Sequence, residues 1–345
     1  MKNKVACQVV MMATVLAALT ACSKGAGSFS ILADADDYRQ EAVFVPKKID
    51  VLWVIDNSGS MASSQAALTA NFQSFINKFQ AQGYDFHMAV TTSDAWEKQF
   101  NNASQKSKIR DGNGSTHSGV FVMDQNTPNL ANVFSTNATV GISGNGDERV
   151  FESFKQTLLD VTGVNATFRR PEAYLAIIIL SDEEDYSSAS GSFTENPNTA
   201  YPVQSYVDFL NDYTDGGANF SVNTISVDTV ACRDSLGNNA QKVSTRLPAL
   251  ATLTGGVKAS ICGNFGTSLD LISNNIVQLS AVFKLTREPL VESINISING
   301  VKINVDPVNG YTYDPANLTI TFHGTAVPAA NASVKIDYYP ASLDI

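Results

Sequence analysis

The sequence predicts a doubly wound α/β domain, a mainly parallel sheet with helices on both faces, followed by a small all-β module. Three observations carry this. Val51–Ile55 and Leu175–Leu180 are short, continuous apolar runs rich in β-branched residues, the pattern of strands buried on both faces. Segments with helical spacing separate such runs, and alternating strands and helices imply a parallel sheet covered on both sides. After Arg287 the rhythm changes to period-two alternation around Asn299-Gly300.

In chain order, Lys2 and Lys4 precede a mostly apolar stretch, Val5–Leu19, and then small residues. Residues 1–21 therefore read as a cleaved export leader. Residues 22–47 hold Gly, Ser, Asp and Lys without periodicity and read as a tether. The first buried run ends at Asp56-Asn57-Ser58-Gly59-Ser60. Leu68, Phe72, Phe75, Ile76 and Phe79 then fall on one helix face, and Gly83 stops that helix. Phe86, Met88 and Val90 mark a second strand. Residues 101–145 are rich in Asn, Ser and Gly and mostly carry no periodic signal.

Helical spacing returns at Val150, Phe151, Phe154, Leu158 and Val161, before the run Leu175–Leu180. Val203, Tyr206, Val207 and Leu210 mark a helix, and Val222–Val227 a strand. Leu247–Thr254 reads as a short helix, Val257–Ile261 as a strand, and Leu269, Ile272, Ile276, Leu279 and Phe283 as the closing helix. The α/β domain is thus expected over 48–286. In 287–345, Ile294, Ile296 and Ile298 alternate with polar residues, then comes Asn299-Gly300, then Val301, Ile303 and Val305. That is a hairpin pattern. Tyr311–Tyr313, Leu318–Phe322 and Val334–Tyr338 continue it as short strands. A module of this length is marginal by itself and is expected to pack on the larger domain.

Composition narrows the function. Apolar residues make up 44% of 345, enough for a sizeable core. The formal net charge of -10 argues against nucleic acid, whose phosphates need a basic surface. His87, His117 and His323 lack metal-ligand spacing and join no Ser or Cys motif, so no catalytic triad is expected and the chain reads as a non-enzyme.

Leu19-Thr20-Ala21-Cys22 resembles the lipobox of bacterial lipoproteins. The resemblance implies a lipid on Cys22 and anchorage to a membrane. Ser23 after the cysteine favours, by the same resemblance, the outer membrane of a Gram-negative bacterium. Cys7 lies in the leader, which leaves Cys232 and Cys262 as a pair in an exported chain and so as an expected disulfide. Closing that loop is worth roughly 3–4 kcal/mol in the chain-entropy description.

The chemistry centres on the first loop. In open α/β sheets ligands bind beyond the carboxyl ends of the strands. Asp56, Ser58 and Ser60 place a carboxylate and two hydroxyls at alternate positions there, hard oxygen donors suited to Mg²⁺ or Ca²⁺. The helix N-terminus beyond the loop repels a cation, so further carboxylates are required. Ser181-Asp182-Glu183-Glu184-Asp185, at the end of the second buried run, supplies them.

These residues resemble the von Willebrand factor type A family and its metal-ion-dependent adhesion site. The family's Asp-x-Ser-x-Ser appears as Asp56, Ser58 and Ser60, and its later acidic ligand as Asp182. Leu250-Ala251, followed by Leu253-Thr254-Gly255-Gly256, is similar to the stretch before the family's last strand. The likeness covers about 48–285. It implies a Mg²⁺ ion, with Ca²⁺ or Mn²⁺ as substitutes, and a protein partner that places an acidic residue on the metal. The family's middle-loop Thr ligand has no counterpart in Gly141–Glu148, where Asn145, Asp147 or the earlier Thr139 are the candidate replacements. Glu183, Glu184 and Asp185 read as a solvated loop or supporting groups rather than as an acid–base pair. The expected function is that of a membrane-anchored surface or envelope binding protein. A metal-independent scaffold and, less so, a metal-assisted hydrolase are the alternatives.

Overall fold

The computed structural model describes residues 38–43, 48–100, 103–193, 195–214, 219–237, 242–329 and 332–341. Cys22, the leader and the first part of the expected tether lie outside the described residues. The α/β part runs β1 (Tyr38–Val43), β2 (Ile49–Ile55), α1 (Ala62–Gln82), β3 (Phe86–Thr92), β4 (Gly112–Asn113), β5 (Thr116–His117), β6 (Met123–Asp124), α2 (Leu130–Ala138) and α3 (Val150–Leu159). It continues with β7 (Tyr174–Leu180), α4 (Val203–Tyr213), β8 (Phe220–Ser226), α5 (Val230–Leu236), α6 (Arg246–Leu253), β9 (Lys258–Ser260) and α7 (Phe265–Ser280). Among the described residues no helix is long and apolar enough to cross a membrane.

Six strands form the main sheet in the order β6-β3-β2-β7-β8-β9, and only β6 runs antiparallel to its neighbour. Alternate residues of each central strand face opposite sides. Val51, Trp53, Ile55, Ala176, Ile178 and Leu180 join a core with α1, α2 and α7. Leu52, Val54, Leu175, Ile177 and Ile179 join a second core with α3, α4 and α6. Helices therefore cover both faces, which is why the two runs contain no polar alternation. Trp53 meets Phe75 and Phe134 edge-on at 5.2 and 5.3 Å, and Phe134 stacks on Phe72. Each such buried side chain contributes about 1.5–3 kcal/mol. Asp50 interrupts the apolar pattern at the start of β2 because Arg169 and Arg170 close on it at 2.7 and 2.8 Å.

Local chemistry sets the element ends. Gly83 terminates α1 with φ of 67°, donating its amide to Gln80 and Phe79 carbonyls. Gly256 passes so close to the Val222 carbonyl that a Cβ has no room there. Thr229 caps α5 by accepting from the Cys232 amide at 3.1 Å. The Cys232–Cys262 disulfide is formed and ties α5 to the turn after β9.

The C-terminal module comprises β10 (Val282–Lys284), β11 (Asn295–Ile298), β12 (Val301–Ile303), β13 (Tyr311–Asp314), β14 (Thr319–Phe322) and β15 (Ser333–Tyr338). They make two sheets, β10-β14-β13 and, with β1 at its edge, β1-β15-β11-β12, and the strands from β10 to β15 pair with one another antiparallel. Asn299 and Gly300 form the β11–β12 turn with φ of 50° and 80°, as that dipeptide favours.

Two boundaries differ from expectation. Phe283 belongs to β10 rather than to the closing helix, so strand structure begins before residue 287. Tyr38–Val43, inside the segment read as a tether, is a strand of the second sheet. Backbone pairing at a sheet edge needs no apolar alternation, so the composition did not signal it. His323 joins the module to α7, bonding Gln278 at 2.8 Å through Nδ1 and Thr312 at 2.7 Å through Nε2.

Candidate metal-binding site

Parallel strands bring their carboxyl ends to one edge of the sheet. From β2 the chain moves outward to β3, and later returns to β7 on the other side of β2. The crevice where direction reverses therefore lies at the ends of β2 and β7, the usual ligand position in such sheets. Asp56 is the first residue beyond β2, and Ser181 and Asp182 are the first beyond β7. The Asp56 amide donates to the Leu180 carbonyl at 2.9 Å and sets the two loops in register.

All four expected ligand residues meet in one hydrogen-bonded chain. Asp56 Oδ1 accepts from the Ser58 amide at 2.7 Å, and Oδ2 accepts from the Ser181 hydroxyl at 2.7 Å. The Ser58 and Ser60 hydroxyls lie 3.3 Å apart. Ser60 donates to Asp182 Oδ1 at 3.1 Å. Asp56, Ser58 and Asp182 are buried, whereas Ser60 is partly open to solvent. Gln65 of α1, which no sequence signal marked, donates to the Asp56 carbonyl at 3.0 Å and to the Gly141 carbonyl at 2.8 Å. It thereby ties the first loop to the middle loop, as does the Gly144 amide bonded to the Asn57 carbonyl at 2.8 Å.

The middle loop uses its candidate residues elsewhere. Thr139 donates to the Ser135 carbonyl at the end of α2. Asp147 pairs at 2.6 Å with Arg149, both fully buried, and Arg149 lies 4.0 Å over the Trp96 ring. Asn145 bonds Asp94 through its amide and Glu97 through its side chain. The residue of this loop that feels the Asp56 charge is Glu148. It is buried, and neither carboxylate oxygen has a well-formed hydrogen bond. Sequence reasoning passed over it within a polar stretch. Its one usable mark is its place two residues before the first apolar residue of α3.

Electrostatics at the site are strained by like charge. Burial, with the Asp182 charge added, lifts Asp56 from the ordinary 3.8 to about 6 against the opposing Ser58 and Ser181 hydrogen bonds. Burial and then the Asp56 charge push Glu148 well above the carboxylate range, with a partial offset from Ser93. Burial, Asp56 and Asp182 lift Glu183 to about 8. Crowded, desolvated carboxylates either keep protons or take a cation.

Among the described residues no group of three or more His, Cys, Asp or Glu side chains forms a metal cage. The candidate set differs from such a cage, pairing two hydroxyls with the carboxylates Asp56 and Asp182. An all-oxygen set of this kind fits a hard divalent cation, which the Asp56–Asp182 repulsion favours further.

Of the two roles expected for Glu183, Glu184 and Asp185, a solvated loop or supporting groups, the first fails, because all three are buried. The reason for Glu184 and Asp185 is that they serve helix N-termini. Glu184 accepts from the Thr245 amide and hydroxyl and from the Arg246 amide at the start of α6. Asp185 accepts from the Phe151 amide at the start of α3 and pairs with Arg246 at 3.1 Å. Both uses follow from the unpaired amides of a helix's first turn.

No protein-family profile and no curated protein sequence matches the chain. Among solved structures it is similar to proximal thread matrix protein 1 from the mussel byssus, at 11% identity over 72% of this chain and 52% of that one, with a TM-score of 0.40. A form of the same mussel protein with a zinc-occupied MIDAS motif gives 10% identity, a TM-score of 0.39 and the same coverage. The pilus adhesin SpaC from Lactobacillus rhamnosus GG gives 11% identity over 87% of this chain and 39% of that one, with a TM-score of 0.41. The chain spans about half or less of the length of these proteins. At such scores the likeness carries no argument about function.

Proposed function

We propose that the chain is a non-enzymatic binding or adhesion protein of the von Willebrand factor type A kind, in which the loops after β2 and β7 hold a divalent cation. Asp56, Ser58, Ser60 and Asp182 are its protein ligands, and Mg²⁺ is the ion best suited to their oxygen donors. A bound ion supplies a concentrated positive charge in an otherwise acidic molecule. These few groups need not fill an octahedral shell, so a position is left for an acidic side chain of a protein partner. The ion then reverses, at one point, the repulsion that a chain of net charge -10 exerts on an acidic partner. Cys22 carries the lipid that anchors the exported protein to a membrane, the outer membrane of a Gram-negative cell, which the Ser23 that follows it favours by its resemblance to such lipoproteins.

The single observation that carries this reading is the continuous contact from Ser58 through Ser60 to Asp182 above a buried Asp56. The test is capture of a partner from envelope extract with and without chelator. Capture that chelator abolishes and Mg²⁺ restores is expected. Capture indifferent to chelator replaces the metal bridge with a metal-independent scaffold.

A further inference from the structure

A cavity of about 480 Å³ opens beside the proposed metal loop, with Asn57, Asp94, Lys106, Arg110, Asn113 and Ile142 in its wall. Its two cations differ. Lys106 is committed to Asp94 at 2.8 Å and to Glu97 at 3.5 Å. Arg110 is half-buried, and its backbone amide donates to the carbonyl of Val90 in β3. Its guanidinium makes no hydrogen bond or close ion pair among the described residues, and its Nε is buried without an acceptor. Asp94 and Asp111 act on it only through space, while burial disfavours its charge. A guanidinium stays protonated in proteins, so Arg110 holds a partly desolvated charge with one buried donor, Nε, unmet. Groups of that kind are costly unless an acceptor arrives.

We propose that this cavity binds a carboxylate, held by Arg110, which a protein partner delivers beside the acid it places on the metal. Lys106 is offset by Asp94 and Glu97, so a single guanidinium is left to meet the ligand, which matches a monoanion better than a phosphate dianion. Asn113 adds an amide donor, Asn57 already donating its own to Asp94 at 3.2 Å, and Ile142 offers apolar surface to the stem of an Asp or Glu side chain. The guanidinium fork fits a carboxylate with two parallel hydrogen bonds. The proposal rests on the proposed function only for the source of the carboxylate. The cavity itself needs no metal.

The purified chain, stripped of metal and dialysed free of chelator, is titrated at low salt with acetate, with an acetylated and amidated Gly-Asp-Gly peptide and with inorganic phosphate, following amide chemical shifts. Wild type is expected to bind both carboxylate probes, with shifts at Gly112, Asn113 and Ile142, and phosphate more weakly. Arg110→Gln is expected to weaken both at least tenfold, and Arg110→Lys to weaken them less. Because the guanidinium has no internal partner to lose, Arg110→Gln should move the unfolding midpoint by no more than about 2 °C. No binding by the metal-free chain, equal binding by Arg110→Gln, phosphate bound as tightly as acetate, or a large fall in the Arg110→Gln midpoint overturns the proposal. Carboxylate binding that survives while Mg²⁺ binding is absent supports the cavity and defeats the metal reading alone.

Discussion

Replacing Asp56 by Asn should make the cation-free protein more stable and end its response to Mg²⁺. The folded protein keeps a proton on Asp56 to about 6, whereas an unfolded chain releases it near 3.8. Stability is therefore greatest below the lower value and falls as pH rises toward the upper one. Beyond it the fold bears the whole cost of a buried charge, roughly 3 kcal/mol for a shift of that size. Asn removes the charge but must reverse one contact. Its carbonyl still accepts from the Ser58 amide, while its NH₂ has to donate to Ser181, which now donates to Asp56. That rearrangement costs about 1 kcal/mol, leaving a net gain of about 1–2 kcal/mol. Urea unfolding in chelator at about pH 7.5 measures it, and near pH 4 the gain should largely vanish. With Mg²⁺ at about a hundred times its dissociation constant, wild type should gain about 2.7 kcal/mol and the variant nothing. An Asp56→Asn protein less stable than wild type in chelator, or one that Mg²⁺ stabilises equally, refutes the reasoning.

Other consequences are as direct. Asp160 is buried, which opposes its ionisation, but Lys108 at 2.8 Å and Ser107 at 2.6 Å hold its carboxyl well below the usual range. Its stabilising effect is present above the ordinary carboxylate range and is lost only as pH falls through the depressed value. Asp160→Asn should thus cost about 2 kcal/mol at neutral pH and little in strong acid, as read by denaturant midpoints at the two pH values. Reducing Cys232–Cys262, or the Cys232→Ser/Cys262→Ser double change, should cost roughly 3–4 kcal/mol in guanidinium unfolding. Cys22→Ser should release the protein from the membrane fraction or block its processing, and an unchanged mass and fractionation would dismiss the lipid anchor.

The α/β layout was legible because burial on both faces leaves a plain mark. Leu52 and Val54 face one core while Val51, Trp53 and Ile55 face the other, and no polar residue is tolerated between them. The helix faces and the Asn299-Gly300 turn were legible for similar local reasons. What escaped depended on contacts distant in sequence. Tyr38–Val43 joins the edge of a sheet whose other strands lie about 250 residues further along the chain. Glu184 and Asp185 look solvated until the N-termini of α6 and α3 arrive beside them. The short helix Val230–Leu236 has too few turns for a periodic signal. That Asp56, Ser58, Ser60 and Asp182 meet was readable because a compact motif follows one strand and an acidic loop another. Gln65 and Glu148 were not, since their importance lies in reaching Gly141 and Asp56 across folds of the chain.

Calorimetric titration of Mg²⁺ into the metal-free chain, beside Ser60→Ala and Asp182→Ala, tests the proposed site most directly. One saturable site in wild type is expected, weakened in Ser60→Ala and lost in Asp182→Ala, with both variants folded. No heat of binding in wild type, or the same affinity in Asp182→Ala, would contradict a metal held between the loops after β2 and β7.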